Sequence, residues 1–262
     1  MGNKQTDLQA LSTMSQTAGA RVDYTQGGGG NTSVKFGDGL MAIKASGFRL
    51  SQVTPETGFA VVEIDTLKDV TVEQGYAPLR PSVEASFHSI LKKFVLHTHP
   101  VYANLPLCSV EGIGRLPEIM AGYSYVVVPY INPGAPLAAS IKAKLTPQTQ
   151  AVFMVNHGLV VTADTAEECL RLHDDINARI AAAYGVTSKD FDAFAEDMKK
   201  TLYPDQQVYL TLTEVQQEIL AAVMFIQFTL KKAGEHIHAM DETAMEYIGN
   251  WESEAYRKTI LK

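Results

Sequence analysis

The chain has 262 residues, 46% of them hydrophobic and 19% charged, with a formal net charge of −7. This composition excludes a disordered or fibrous chain, and the acidic balance argues against a nucleic-acid or anionic-membrane surface as its main business. No stretch reaches the roughly 18 uninterrupted apolar residues of a membrane span, and Met1 to Thr13 carry no apolar signal core. The two cysteines, Cys108 and Cys169, form no C-x-x-C pair, so a reduced, cytoplasmic protein is expected.

Leu8, Leu11, Met14 and Ala18 recur at spacings of three and four, which predicts an amphipathic helix over 5–20. Four glycines, Gly27 to Gly30, follow; their conformational freedom makes this a loop. Thr32–Phe36 and Leu40–Lys44 read as strands around a Gly37-Asp38-Gly39 hairpin turn, and Phe59–Ile64 as a third strand. Pro81 opens a predicted helix over 82–93, which runs into the strand Phe94–His99, stopped by Pro100. Tyr123–Pro129 reads as a buried strand and Ala135–Leu145 as a helix. The runs Ala151–Asn156 and Leu159–Thr162 read as strands interrupted at His157-Gly158. Thr165 is the expected N-cap of a long helix to Ala183, with Glu167 and Glu168 in its first turn. Beyond Tyr203-Pro204-Asp205 the chain becomes strand-poor, with helices expected over 213–232 and 242–262. We therefore expect an α/β core over residues 1–204 and a helical extension over 205–262, which covers the site or contacts a neighbouring subunit.

The chemistry concentrates at His97-Thr98-His99. Residues i and i+2 of a strand point to one face, so the two imidazoles lie side by side. A catalytic zinc needs about three protein ligands and an open position. His157, in the turn before Gly158, is the candidate third ligand, and Glu84 is the best nearby carboxylate. His88, one helical turn after Glu84, either orients it or packs in the helix interface. His173, beside Asp174 and Asp175, is expected on the surface. His236-Ile237-His238 repeats the spacing in or between helices, where such residues do not face each other, and is expected in solvent. The glycine loop with Asn31, the Ala45-Ser46-Gly47 turn and the helix start at Ser82 are rich in donors and could converge on one anion. No nucleotide motif is present: there is no G-x-G-x-x-G opening a helix and no G-K-[ST].

Gly30-Asn31-Thr32-Ser33, Lys44-Ala45-Ser46-Gly47, Pro81-Ser82-Val83-Glu84, His97-Thr98-His99-Pro100, Pro129-Tyr130 and Asn156-His157-Gly158, in this order, resemble the class II aldolase/adducin family. Arg80–Glu84 and Val128–Gly134 look most like the aldolase domain of bifunctional rhamnulose-1-phosphate aldolase/lactaldehyde dehydrogenase proteins, although no dehydrogenase half is found in this sequence. The resemblance implies a three-layer αβα sandwich around a mixed, largely antiparallel sheet, and a homotetramer with sites between neighbours. It implies Zn²⁺ or another divalent cation held by His97, His99, His157 and Glu84, with Glu84 also shuttling protons. It implies a phosphate held by Gly30, Asn31, Ser46, Gly47 and Ser82. Tyr130 matches a tyrosine donated across the subunit boundary to protonate the aldehyde oxygen. Val83 stands where fuculose-type aldolases carry a second phosphate-binding serine, a role left to Arg80 or Lys44.

The activity implied is reversible cleavage of a ketose, first of all a ketose 1-phosphate, into a ketone donor and an aldehyde through a metal-stabilised enediolate. A sugar-phosphate dehydratase or 4-epimerase on the same scaffold is the first alternative. A non-catalytic interaction module like adducin's head is the second, and it expects the histidines to be missing. A barrel hydrolase with H-x-H is the third, and the helical tail argues against it.

Overall fold

The computed structural model describes residues 3–250. Its elements in chain order are α1 Lys4–Gly19, β1 Asn31–Lys35, β2 Leu40–Lys44, β3 Phe59–Glu63, α2 Ala85–His88, β4 Phe94–Thr98, α3 Val101–Leu107, α4 Leu116–Ile119, β5 Tyr125–Val128 and α5 Ala135–Lys142. They continue with β6 Ala151–Met154, β7 Gly158–Ala163, α6 Ala166–Ala183, α7 Ser188–Met198, α8 Pro204–Tyr209, α9 Glu214–Ala233 and α10 Glu242–Asn250. The strands form one seven-stranded sheet in the order β3-β2-β1-β4-β7-β6-β5. Every pairing is antiparallel except β5 with β6. The expected αβα sandwich with a largely antiparallel sheet is therefore what the chain builds.

Side chains alternate between the two faces of a strand, and neighbouring residues here go to different cores. Leu96, Phe153 and Val161 join the larger core with Leu8 and Leu11 of α1 and Leu172 and Ile176 of α6. Val95, Val152 and Val160 face the other way, onto Phe87 of α2 and Leu137 and Ile141 of α5. Burying a side chain of this size contributes about 1.5–3 kcal/mol, and β4, β6 and β7 are buried along their whole length, with a core on each face.

Helix ends follow their expected chemistry. The Thr165 side chain accepts from Glu168 N at the start of α6, and Thr213 and Gln216 form a capping box on α9. α9 ends at Gly234 in the left-handed region, φ 75°. Its Ala222 and Phe225 join the larger core, and Phe225 packs edge-on against Phe191 of α7, with ring centroids 5.3 Å apart. No helix among the described residues is long and apolar enough to cross a membrane.

Three expectations need correction. The helix expected over 82–93 shrinks to Ala85–His88, with Glu84 at its N-cap. The sheet claims the rest of that backbone: Lys92 N–H donates to Thr162 Oγ1, and Lys93 carbonyl accepts from Lys35 N–H. The strand expected to be buried over Tyr123–Pro129 is the edge strand Tyr125–Val128, and only Val128 of it is buried. His173 is not on the surface. It falls on the inner stripe of α6 with Cys169, Ile176 and Ile180, fully buried, its Nε2 2.6 Å from Thr98 Oγ1 and its ring edge-on to Tyr24. The helix expected over 242–262 is seen to Asn250, and the remainder lies outside the described residues. Helices α3, α4, α7 and α8 occupy stretches to which the sequence pattern assigned no element.

Candidate functional site

The sheet positions the histidines. His97 lies on central β4, directly opposite Asn31 of β1 and Val160 of β7. Its Nδ1–H donates to the Leu159 carbonyl at 3.0 Å, which leaves Nε2 as the lone-pair nitrogen. His99 follows the end of β4, and Pro100 then starts α3. His157 sits in the turn between β6 and β7, where Asn156 adopts a left-handed backbone, φ 53°. Gly158 is required there: a Cβ would lie 2.3 Å from the Thr98 carbonyl oxygen. That close approach brings β7, and with it His157, against the end of β4.

The three imidazoles meet. Ring centroids are 5.0 Å apart for His97 and His99, 4.9 Å for His97 and His157, and 5.2 Å for His99 and His157. One nitrogen from each lies within 4.8 Å of the others. His99 Nε2 is 3.2 Å from His97 Nε2, and Glu84 carboxylate oxygens lie 3.3 Å from His157 Nε2 and 3.7 Å from His97 Nε2. Tetrahedral ligands roughly 2.0–2.1 Å from a zinc ion are themselves about 3.3 Å apart. The donor set thus fits a divalent cation in both spacing and chemistry. Burial pushes the His97 imidazole down to about 4, the neutral form a cation needs. Burial pushes the Glu84 carboxyl up, but His97, His157 and His99 around it outweigh that and hold it well below the usual carboxylate range.

Behind Glu84 runs a buried polar chain. Asn31 Nδ2 donates to Glu84 Oε2 and, at 3.1 Å, to Ser82 Oγ. Asn31 Oδ1 is bonded to His88 Nε2, and His88 Nδ1 lies 2.7 Å from Ser33 Oγ. His88 is fully buried, and burial holds its imidazole neutral. With Ser33 donating to Nδ1, His88 Nε2–H donates to Asn31 and turns the Asn31 amide nitrogen toward the carboxylate. His88 therefore orients Glu84 through Asn31.

One cleft of about 280 Å³ collects these groups. Glu84, His99, His157, Tyr130, Gly30, Asn31, Ser46, Gly47 and Ser82 all line it, and His97 lies fully buried behind. Lys44 also lines it, while Arg80 is exposed and gives its carbonyl to Ser46 N–H. The Ser46 hydroxyl donates to the Pro81 carbonyl at 3.2 Å. Ser82 Oγ accepts from Asn31 and from Glu84 N–H. The Tyr130 hydroxyl is buried with no hydrogen-bond partner among the described residues. It lines the same cleft as Glu84 and His157.

A family model for the class II aldolase and adducin N-terminal domain matches residues 9–183. The chain belongs to the class II aldolase/adducin family. It is 28% identical over 211 residues to uncharacterized oxidoreductase YuxG of Bacillus subtilis, a match covering 67% of this chain and only 30% of that protein. It is 29% identical over 160 residues to 3-oxo-tetronate 4-phosphate decarboxylase of Escherichia coli O6:H1, covering 55% of this chain and 71% of that one. Among solved structures, the N-terminal class II aldolase domain of a conserved protein from Thermoplasma acidophilum superposes with a TM-score of 0.59 at 25% identity, over 68% of this chain and 93% of that one. L-fuculose 1-phosphate aldolase, at 20% identity, shares the fold over 84% of this chain and 96% of its own, with a TM-score of 0.54.

Some residues of this class II aldolase-fold site escaped the sequence reading. Asn156 lines the cleft beside His157, and Met240 and Ile248 close it from the C-terminal region. Asn156 Nδ2 donates to the His238 carbonyl, and Asn156 Oδ1 accepts from His238 Nδ1, both at 2.7 Å. Asn156 stands in a motif that did signal the site. Nothing in the local pattern around Met240 or Ile248 signals a pocket, because their placement depends on the strap at 235–238, which pairs Ile237 with Ser109.

Proposed function

We propose that the protein is a divalent-metal-dependent class II aldolase that cleaves a ketose, first of all a ketose 1-phosphate of the rhamnulose type, reversibly into a ketone donor and an aldehyde. The observation that carries this reading is the convergence of three imidazoles and an ionised glutamate at ligand spacing on the wall of one cleft. His97, His99, His157 and Glu84 would hold the ion, with zinc the proposed metal. When bound, the cation would supply Lewis-acid stabilisation of the negative charge that develops on the donor's oxygens as the carbon–carbon bond breaks.

The chain's own groups do the rest. Glu84 takes and returns the proton at the donor carbon; Asn31 fixes its Oε2. Tyr130, whose hydroxyl has no competing partner among the described residues, gives a proton to the aldehyde oxygen on condensation and takes one on cleavage. The Ser82 hydroxyl, with its oxygen already accepting two N–H groups, is left to donate to a phosphate oxygen beside Gly30, Asn31 and Gly47. Ser46 joins them by rotating its hydroxyl away from the Pro81 carbonyl.

A second reading draws support from the 3-oxo-tetronate 4-phosphate decarboxylases that the chain resembles at 26–29% identity. Loss of carbon dioxide from a 3-oxo acid leaves the same kind of carbanion beside a carbonyl as loss of an aldehyde from a ketose, so one set of groups serves both. Product analysis decides. With zinc-loaded protein, ketose 1-phosphates should yield a phosphorylated ketone plus an aldehyde. Release of carbon dioxide from 3-oxo acid phosphates, with ketose phosphates left intact, would replace the aldolase reading with the decarboxylase one. A dehydrated ketone as product would replace it with the dehydratase.

A further inference from the structure

The glycine loop that lines the cleft is held from outside the region matched to the family. Glu218 lies on α9, beyond residue 183. Its Oε2 accepts from Gly27 N–H at 2.6 Å, and its two carboxylate oxygens lie 2.9 and 3.0 Å from Arg49 Nη1. Both side chains are largely buried, at 11% exposure for Glu218 and 25% for Arg49. Arg49 directly follows the Ala45–Phe48 turn. One carboxylate therefore ties together the two turns that give Gly28, Gly30, Ser46 and Gly47 to the cleft.

Two further observations bear on what this tie does. First, α9 has anchors of its own: Ala222, Phe225 and Leu230 are buried. Docking of the helix therefore has ample apolar support without Glu218, and burying a charged pair is by itself poor stabilisation. Second, a run of four glycines has no side chains to fix it, and glycine backbone has the most freedom to lose. Within the loop, Gly29 N–H donates to the Gln26 carbonyl, and Lys44 Nζ reaches the Gly28 carbonyl at 3.4 Å. The Glu218 contact is shorter and charge-assisted.

We propose that Glu218 is a positioning residue that holds the glycine loop and the Ser46 turn as one wall of the cleft, preset to receive an anion. The anion part rests on the phosphate reading above; the positioning part does not. The test compares zinc-loaded wild type with E218A and E218Q by hydrogen exchange and by titration with inorganic phosphate. E218A should speed exchange in peptides covering 25–31 and 45–49, leave 221–230 protected, and weaken phosphate binding roughly tenfold, the size expected for losing a hydrogen bond to a charged group. E218Q keeps an acceptor for Gly27 and should recover part of both effects, and zinc affinity should not change. In turnover, the loss should fall on KM rather than kcat. Unchanged loop exchange in E218A would overturn the proposal, as would loss of protection across 221–230, which would make Glu218 a docking residue. Wild type that binds no inorganic phosphate, while E218A still loosens both turns, would overturn the phosphate reading and support the positioning role.

Discussion

Two stretches of this chain carry the same pattern, His97-Thr98-His99 and His236-Ile237-His238, and the fold uses them oppositely. The first pair ends a central strand: His97 is fully buried, and both rings meet a third imidazole about 5 Å away. The second lies on an exposed strap, where His236 is 81% exposed and pairs with Glu111 while His238 bonds Asn156. Spacing alone does not make a metal site. A rigid strand on a buried sheet aims both imidazoles one way and lets a distant turn deliver the remaining ligand. The strap sends its two side chains to different partners.

The sharpest way to break this contrast is to remove one member of the first cluster. His157→Ala should sharply weaken zinc retention and turnover together, since it leaves only two imidazoles and Glu84, the carboxylate that must also carry the proton; zinc content and product formation measure both. Next comes Glu84→Gln, which should leave metal bound but slow exchange of the donor ketone's α-proton by about 10²–10⁴-fold, followed by NMR in deuterated solvent. Unchanged exchange would remove the proton-shuttle role. Tyr130→Phe should keep metal and proton exchange but slow carbon–carbon bond cleavage by about 10²-fold, separating the aldehyde side of the reaction from the donor side. At the small end, Asn156→Ala should loosen the strap that carries Met240 and Ile248 and raise KM several-fold with zinc content unchanged; equal losses of kcat and zinc would show that the strap supports the histidines themselves. His236→Ala should change neither zinc content nor turnover.

How much of this was legible in the sequence depended on the range of the signal. The strand runs Phe94–His99 and Leu159–Thr162, the Gly37–Gly39 turn and the cap at Thr165 are local features, and they appear in the fold with their expected roles. The motif-bearing turns likewise come to one cleft. What misled was context. His173 sits among acidic neighbours, yet its place one turn from Cys169 and Ile176 puts it inside. The segment after Pro81 has helical spacing, but its backbone groups pair with β1 and with Thr162. The strap over the cleft and the Glu218 tie join residues 82 to 191 positions apart, a distance over which a single sequence carries no pattern.

The central claim is that His97, His99 and His157 surround a single divalent cation beside Glu84. Anomalous diffraction at the zinc absorption edge, on crystals of zinc-loaded protein, tests it most directly. The account predicts one strong peak per chain, within bonding distance of a nitrogen from each of these three rings. A peak at His236 and His238 with none at the buried cluster, or no peak in protein that turns over at full rate, would contradict it.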